Sequence, residues 1–250
     1  MPISKNQIKA IQKLHRKKYR DVEGVYLVEG EKMAAEAIRH CASDIREIYA
    51  SQDWIFQNGG PLNAESLVPE DVLPSELKKI STLQSPNQVL MVMQQREIEM
   101  DWSSSGLFLY LDRIQDPGNM GTILSIANWF GLQGVITHNC VEIYNPKVVQ
   151  ASMGAVFHLN FLSLPFDELR SHLPNAPIWV STLYGKSINE LSDANKGIIV
   201  IGNESQGVAP EIIEQATQQV TIPSFGESPK ESLNAAVATG IICAAFRRGS

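Results

Sequence analysis

The chain has 250 residues, 44% of them hydrophobic and 19% charged, a balance that suits one large or two modest soluble domains with a real core. No apolar run approaches the roughly 18–20 residues that span a bilayer, and the amino-terminal MPISKNQIKAIQK lacks the apolar centre of a secretory signal. A cytoplasmic protein is expected, and neither membrane nor metal is expected as a partner. Cys41, Cys140 and Cys243 show no metal-ligand spacing and are read as reduced packing thiols. The net charge of −6 is uneven: residues 1–20 carry seven Lys or Arg and no Asp or Glu, which leaves −13 on the remainder. Such a segment can meet phosphates even when the whole chain is acidic, and can equally be a solvated helix face.

In chain order, Ser4 and Gln7 form a capping-box pattern, and Ile8, Ile11 and Leu14 recur at helical spacing. One helix is predicted over 4–19, carrying Lys5, Lys9, Lys13, Arg16, Lys17 and Lys18. VYLVEG (25–30) reads as a strand, EKMAAEAIRH (31–40) as a helix and IREIYAS (45–51) as a strand. SELKKIS (75–81) reads as a helix and QVLMVMQQ (88–95) as a third strand. Together these predict a small α/β domain over 1–95. The polar, serine-rich REIEMDWSSSG (96–106) separates two apolar runs and is predicted as a linker.

From 107 to 250 apolar strands alternate with helices. Strands are predicted at LFLYLD (107–112), GVITH (134–138), LNFLSL (159–164), IWVSTLY (178–184), GIIVIGN (197–203) and VTIP (220–223). Helices are predicted over 119–130, 146–153 and 167–172, from about Pro210, and over 231–247. This alternation predicts a parallel sheet covered on both faces. Ligands of such sheets sit at the carboxyl ends of the strands, where three loops stand out.

DRIQDPGNMGTILSIA (112–127) has a Pro-Gly turn, Asn119 placed to cap a helix, and Gly121. Taken alone it is also an ordinary strand–turn–helix junction. IGNESQGVAPEI (201–212) sets Gly202, Asn203 and Gly207 around the carboxylate of Glu204, which can cap helix N–H groups or touch a ligand. No lysine follows as in a phosphate-binding loop, and no strand is followed by G-x-G-x-x-G. IPSFGESPKESLNAAVATG (222–240) is predicted to put Ser232, Leu233 and Asn234 in the first turn of the closing helix. The Ala-rich AAVATGIICAA suits a buried core or a subunit interface.

In order and spacing the three loops resemble the signature motifs of the SpoU (TrmH-type) RNA 2′-O-ribose methyltransferases of the SPOUT superfamily. The first matches N-x-G-x-x-x-R at Asn119 and Gly121. The second matches G-N-E-x-x-G at Gly202, Asn203, Glu204 and Gly207. The third matches I-P-x-x-G…S-L-N-x-x-V-A at Ile222, Pro223, Gly226, Ser232, Leu233, Asn234, Val237 and Ala238. The amino-terminal part is similar to the family's small RNA-binding domain. The resemblance implies a homodimer through the methyltransferase domain, a carboxyl-terminal trefoil knot, and S-adenosylmethionine as methyl donor. It also implies transfer or ribosomal RNA as substrate. The donor would lie on backbone at Gly202, Ile222 and Leu233, with Asn203, Gly207 and Pro223 in the same loops. Thr182 and Leu183 of STLYG would border it. Asn119, Glu204, Ser232 and Asn234 would organise the attack of a ribose hydroxyl on the donor methyl.

One motif position departs from the family. Six residues after Asn119, where the family carries arginine, this chain has Ser125. Serine has no charge and cannot fork to a phosphate. Arg113 precedes the turn and is not an obvious substitute; Arg247 and Arg248, at the end of the last helix, could approach across a dimer. The chain is therefore read as a methyltransferase in which another group does the arginine's work, or as a catalytically weakened RNA-binding member of the family. An α/β enzyme for an acidic small molecule is a more distant alternative, because no histidine lies among the three loops and His138 at a strand end reads as structural.

Overall fold

The computed structural model describes residues 3–103, 105–191, 195–226 and 232–248. The chain forms two units, Met1–Glu97 with Glu142–Phe157, and Ile98–Val141 with His158–Ser250. Among the described residues no helix is long and apolar enough to cross a membrane.

Residues 3–97 contain α1 (Lys5–Lys13), α2 (Lys17–Glu23), β1 (Val25–Glu29), α3 (Glu31–His40), β2 (Ile45–Ala50), α4 (Gln52–Gln57), α5 (Gly59–Ala64), β3 (Glu70–Asp71), α6 (Pro74–Ile80) and β4 (Val89–Gln94). The sheet order is β1-β4-β2-β3, antiparallel except where β2 meets β3. The expected capping box opens α1: Gln7 N–H donates to Ser4 Oγ at 3.2 Å and Ser4 N–H donates to Gln7 Oε1 at 2.9 Å. The single helix expected over 4–19 is two helices instead. The break follows Leu14 because His15 is drawn to the Ile80 carbonyl (Nε2···O 2.9 Å) and the Arg20 guanidinium donates to the Leu14 carbonyl at 2.6 Å. Arg20 is itself buried and paired with Glu142, so it is a core residue. Lys5, Lys9, Lys13, Arg16, Lys17 and Lys18 are all exposed.

The rest of the chain contains β5 (Leu107–Asp112), α7 (Pro117–Trp129), β6 (Gly134–His138), α8 (Pro146–Ala151), β7 (Phe161–Ser163), α9 (Phe166–His172), β8 (Ile178–Ser187), β9 (Gly197–Gly202), α10 (Pro210–Ile213), β10 (Gln218–Thr221) and α11 (Ala235–Phe246). Segment 142–157, expected within the second domain, groups with the first unit. Its contacts explain why: Tyr144 packs on Tyr26 with ring centroids 4.4 Å apart, Glu142 meets Arg20, and α8 lies against β1. Met100 and Trp102, in the stretch expected as a linker, pack into the second unit, Trp102 stacking on Phe108 and His172.

The second unit's sheet has the order β10-β8-β9-β5-β6-β7, and every pair is parallel. All six residues of β5 are buried, as a central parallel strand with both faces covered requires. α7 and α11 pack against each other, while α9 and α10 contribute Phe166, Leu169 and Ile212 to a cluster with Phe108, Tyr110 and Val200 of the sheet. From β5 the chain moves outward through β6 and β7, then returns on the other side through β8 and β9. The reversal lies between β5 and β9, where Asp112 pairs with Gly202. In open α/β sheets that switch point is where ligands bind.

Candidate functional site

At the switch point the buried carboxylate of Asp112 accepts from Ala209 N–H at 2.9 Å and from the Arg113 guanidinium at 3.0 and 3.1 Å. Arg113, in the left-handed region at φ 61°, also donates to Gln206 Oε1 at 2.8 Å and the Gly207 carbonyl at 3.3 Å. Asn203 Nδ2 donates to the Arg113 carbonyl at 3.0 Å, while its Oδ1 accepts from Ser205 and Gln206 N–H at 2.9 and 3.1 Å. The 202–207 loop is thereby closed on itself and tied to β5. Its glycines are both required. A Cβ on Gly202 would stand 2.3 Å from the Gly207 carbonyl carbon, and Gly207 has φ +69°. What the loop presents is Glu204.

Asp116, not Asn119, caps α7: its Oδ1 accepts from Asn119 N–H at 2.7 Å. The expected cap at Asn119 fails because Asp116, followed by Pro117 at the first helical position, is the stronger starting pair. Asn119 is thus free to use its side chain elsewhere. Its Nδ2 donates to Glu204 Oε1, and its Oδ1 accepts from Asn234 Nδ2 at 2.8 Å. Ser232 Oγ donates to the Glu204 carbonyl at 3.0 Å. Ser232, Leu233 and Asn234 precede the closing helix rather than forming its first turn; Glu231, the expected start, lies outside the described residues. Asn234 is the N-cap of α11, its Oδ1 accepting from Ala236 and Val237 N–H at 3.0 and 3.2 Å. Four residues from three loops, Asn119, Glu204, Ser232 and Asn234, therefore form one polar chain.

Ser125 takes no part in that chain. It lies half-buried on α7, about 9 Å further along the axis. Serine is too short to cover that distance. Within the chain, Arg247 is engaged elsewhere. Its guanidinium donates to the Phe130 carbonyl at 3.0 Å and the Gly131 carbonyl at 2.9 Å, closing the carboxyl end of α7. Arg248 donates to Asn189 Oδ1 at 3.2 Å, and Arg113 is committed as described.

Beside this chain, β8 leaves β10: Val180 pairs with Gln219, but the next pair is Lys186 with Val220. Residues 181–185 bulge away, with Thr182 Oγ1 donating to Gln219 Oε1 at 3.4 Å and Thr221 Oγ1 donating to the Leu183 carbonyl at 3.2 Å. Gly185 allows the close return, since a Cβ there would lie 2.7 Å from Gln219 backbone. Leu183 and Leu233 are about half-exposed, at 48% each, and Ile222 and Pro223 continue from β10 in irregular backbone. Exposed apolar side chains beside irregular backbone suit a ligand held by shape. Cys140 closes the floor of the 113–116 turn, receiving Ile114 N–H at 3.2 Å; burial pushes its thiol up to about 11. The sequence offered Asp112 and Arg113 only as nearby charges; the clamp they make with Gln206 depends on pairing across the sheet.

Residues 106–244 match the model of the SpoU rRNA Methylase family, and residues 5–91 match an MRM3-like substrate binding domain. The chain is 27% identical over 247 residues to the Bacillus subtilis 23S rRNA (guanosine(2553)-2′-O)-methyltransferase RlmP, covering 96% of this chain and 95% of that one. A solved TrmH-family protein from Porphyromonas gingivalis is 34% identical, covers 100% of both chains and superposes with a TM-score of 0.83. An AdoMet-bound rRNA methyltransferase from Sinorhizobium meliloti shares the fold, with a TM-score of 0.85 at 24% identity over 100% of this chain and 97% of that one.

Proposed function

The chain belongs to the SpoU rRNA methylase family, and we propose that it transfers the methyl group of S-adenosylmethionine to a ribose 2′-hydroxyl of RNA. The observation that carries this reading is the polar chain Asn234–Asn119–Glu204 with Ser232 on the Glu204 carbonyl. A network this complete over three distant loops costs conformational freedom, and a site that must hold one geometry is a physical reason to keep it. The donor, when bound, supplies an electrophilic sulfonium methyl. Thr182, Leu183, Gly202, Asn203, Gly207, Ile222, Pro223 and Leu233 are proposed to hold it, through backbone groups and the apolar surface of Leu183 and Leu233. Asn119 and Asn234 orient Glu204, and Ser232 fixes the loop that presents it. Ser125 supplies no cation, so the hydroxyl is positioned without the family's arginine.

The first unit is proposed as the RNA-docking domain, through the exposed Lys5, Lys9, Lys13, Arg16, Lys17 and Lys18 of α1 and α2. The matching substrate-binding model supports this. The activity of the Bacillus relative favours ribosomal over transfer RNA. A homodimer is proposed through α7 and α11, where Trp129, Val237 and Ile241 are 84%, 50% and 37% exposed. The trefoil knot is proposed on family grounds, supported by the return of the chain from edge strand β10 to Glu204 and Asn119 at the sheet centre. The cytoplasm is the proposed location.

Transfer of labelled methyl from S-adenosylmethionine to unmodified total RNA tests the reading, with the protein and its Ser125→Arg variant run side by side. Label from the unaltered protein is expected. Label from the arginine variant alone would favour the second reading, a weakened member that kept its RNA-binding role.

A further inference from the structure

A cavity opens at the carboxyl ends of β5 and β6, outside the Asn119–Glu204 chain. Its volume is about 220 Å³, below the roughly 300–1,000 Å³ of pockets for drug-sized ligands and in scale with one planar ring system. Tyr110 lines it. That residue is fully buried, yet its hydroxyl has no hydrogen-bond partner among the described residues. Burial pushes the phenol's pKa up, so the group is a donor without an acceptor, an arrangement that is costly unless something enters to meet it. Phe166 meets Tyr110 edge-on at 5.0 Å and, with Pro165 and Ile212, supplies an apolar wall.

The remainder of the lining selects the chemistry. Asp167 and Glu211 are exposed carboxylates on α9 and α10 that also line the cavity. The cation among the lining residues, Arg113, is already taken by Asp112, Gln206 and Gly207. The field at the mouth is therefore negative, so an anionic group is kept out of the cavity itself and a neutral one can enter. Among the described residues Asp112, Asp167, Glu211 and His138 do not converge closely enough to share a metal ion. A flat, uncharged ligand with one acceptor and adjacent donors is what remains.

We propose that this cavity receives a guanine base of the RNA substrate, at a nucleotide other than the methylated ribose. Guanine O6 accepts from the Tyr110 hydroxyl, and its neighbouring N1–H and N2–H₂ donors face the carboxylates of Asp167 and Glu211. Unstacked bases read along their Watson–Crick edge are the usual means by which proteins recognise single-stranded RNA. The proposal rests on the RNA methyltransferase reading for the source of the base, but the cavity is testable without turnover.

The test is guanosine binding to the full chain, followed by saturation-transfer NMR, with S-adenosylhomocysteine in excess to close the donor site. Saturable guanosine binding is expected, with adenosine and uridine failing to compete and inosine, which lacks the N2 amino group, binding more weakly. Asp167→Asn combined with Glu211→Gln should weaken guanosine roughly tenfold or more, as loss of a charge-assisted contact does. Tyr110→Phe, which keeps the ring, should weaken it severalfold. Donor binding should be unchanged in both. No saturable binding, equal binding of all four nucleosides, or unaltered guanosine binding in the variants would each overturn the proposal and leave the cavity to water. Guanosine binding that obeys the pattern in a protein that neither binds donor nor methylates RNA would support the base pocket and sink the enzyme reading instead.

Discussion

Asn234 does two separable jobs, and two substitutions pull them apart. Its Oδ1 caps α11 through Ala236 and Val237 N–H, while its Nδ2 donates to Asn119. Asn234→Ala removes both. Loss of the cap costs about 0.5–2 kcal/mol and loss of the side-chain bond about 0.5–1.5 kcal/mol, so a stability loss of about 1–3.5 kcal/mol is expected in urea denaturation. Asn234→Asp keeps an equally good cap at a helix N-terminus but removes the donor and sets a carboxylate against Asn119 Oδ1. Stability should then fall by the lost side-chain bond and not the cap, about 0.5–1.5 kcal/mol. Turnover should fall further. The disrupted chain ends on Glu204, and hydrogen bonds to charged groups are worth roughly 1.5–3 kcal/mol, which is about 10–100-fold in rate. Labelled methyl transfer to RNA reads the second effect. An Asn234→Asp enzyme as active as the parent would refute the role given to the polar chain, and an Asn234→Ala protein of unchanged stability would refute the cap.

Gly202→Ala would press a Cβ within 2.4 Å of Gly207 and Val208 backbone, so donor affinity measured by titration calorimetry should fall, with about 1–3 kcal/mol of overpacking strain; parental affinity would show that the loop's closure is not needed. Reversing Lys5, Lys9 and Lys13 to Glu should lower RNA affinity and flatten its salt dependence by about 0.7–0.9 in log–log slope per lost phosphate contact, while donor binding stays constant. Equal loss of both would argue against a separate RNA-docking surface. Burial raises the thiols of Cys140 and Cys243 from 9.0 to about 11 and about 12. A raised folded-state pKa means that stability is full below pH 9 and declines as pH climbs toward those values, because the unfolded thiols ionise first. Buried Tyr26, Tyr49 and Tyr110, raised mainly by burial, add to the decline above pH 10. The urea midpoint of the parent should therefore fall more steeply above pH 9 than that of a Cys140→Ser, Cys243→Ala double variant. Parallel profiles would contradict the burial of these thiols.

The elements legible in sequence were those whose signal is local. β5, β6 and α3 appear with the bounds expected, because continuous apolar runs and an amphipathic period need no outside information. The break within 4–19 leaves no local signal, because the contact that makes it, His15 with the Ile80 carbonyl, joins residues 65 apart in sequence. α4, α5 and β3 are two to six residues long, too short for periodicity to register. Segment 142–157 groups with the first unit through contacts that no local pattern shows: Tyr144 finds Tyr26 only through the fold. Each site loop was ambiguous by itself. Their meaning lies in bonds between residues 85 and 115 positions apart. The bonds by which Arg247 closes α7 are equally invisible in the order of residues.

The most direct measurement is the position of the methyl group in the product. RNA labelled by the unaltered protein would be digested to nucleosides and separated. Label in a 2′-O-methylated nucleoside is the expected result, and it would stand even if Ser125→Arg proved faster. Label on a base, or no label from the parent and all single variants, would contradict ribose methylation by this chain.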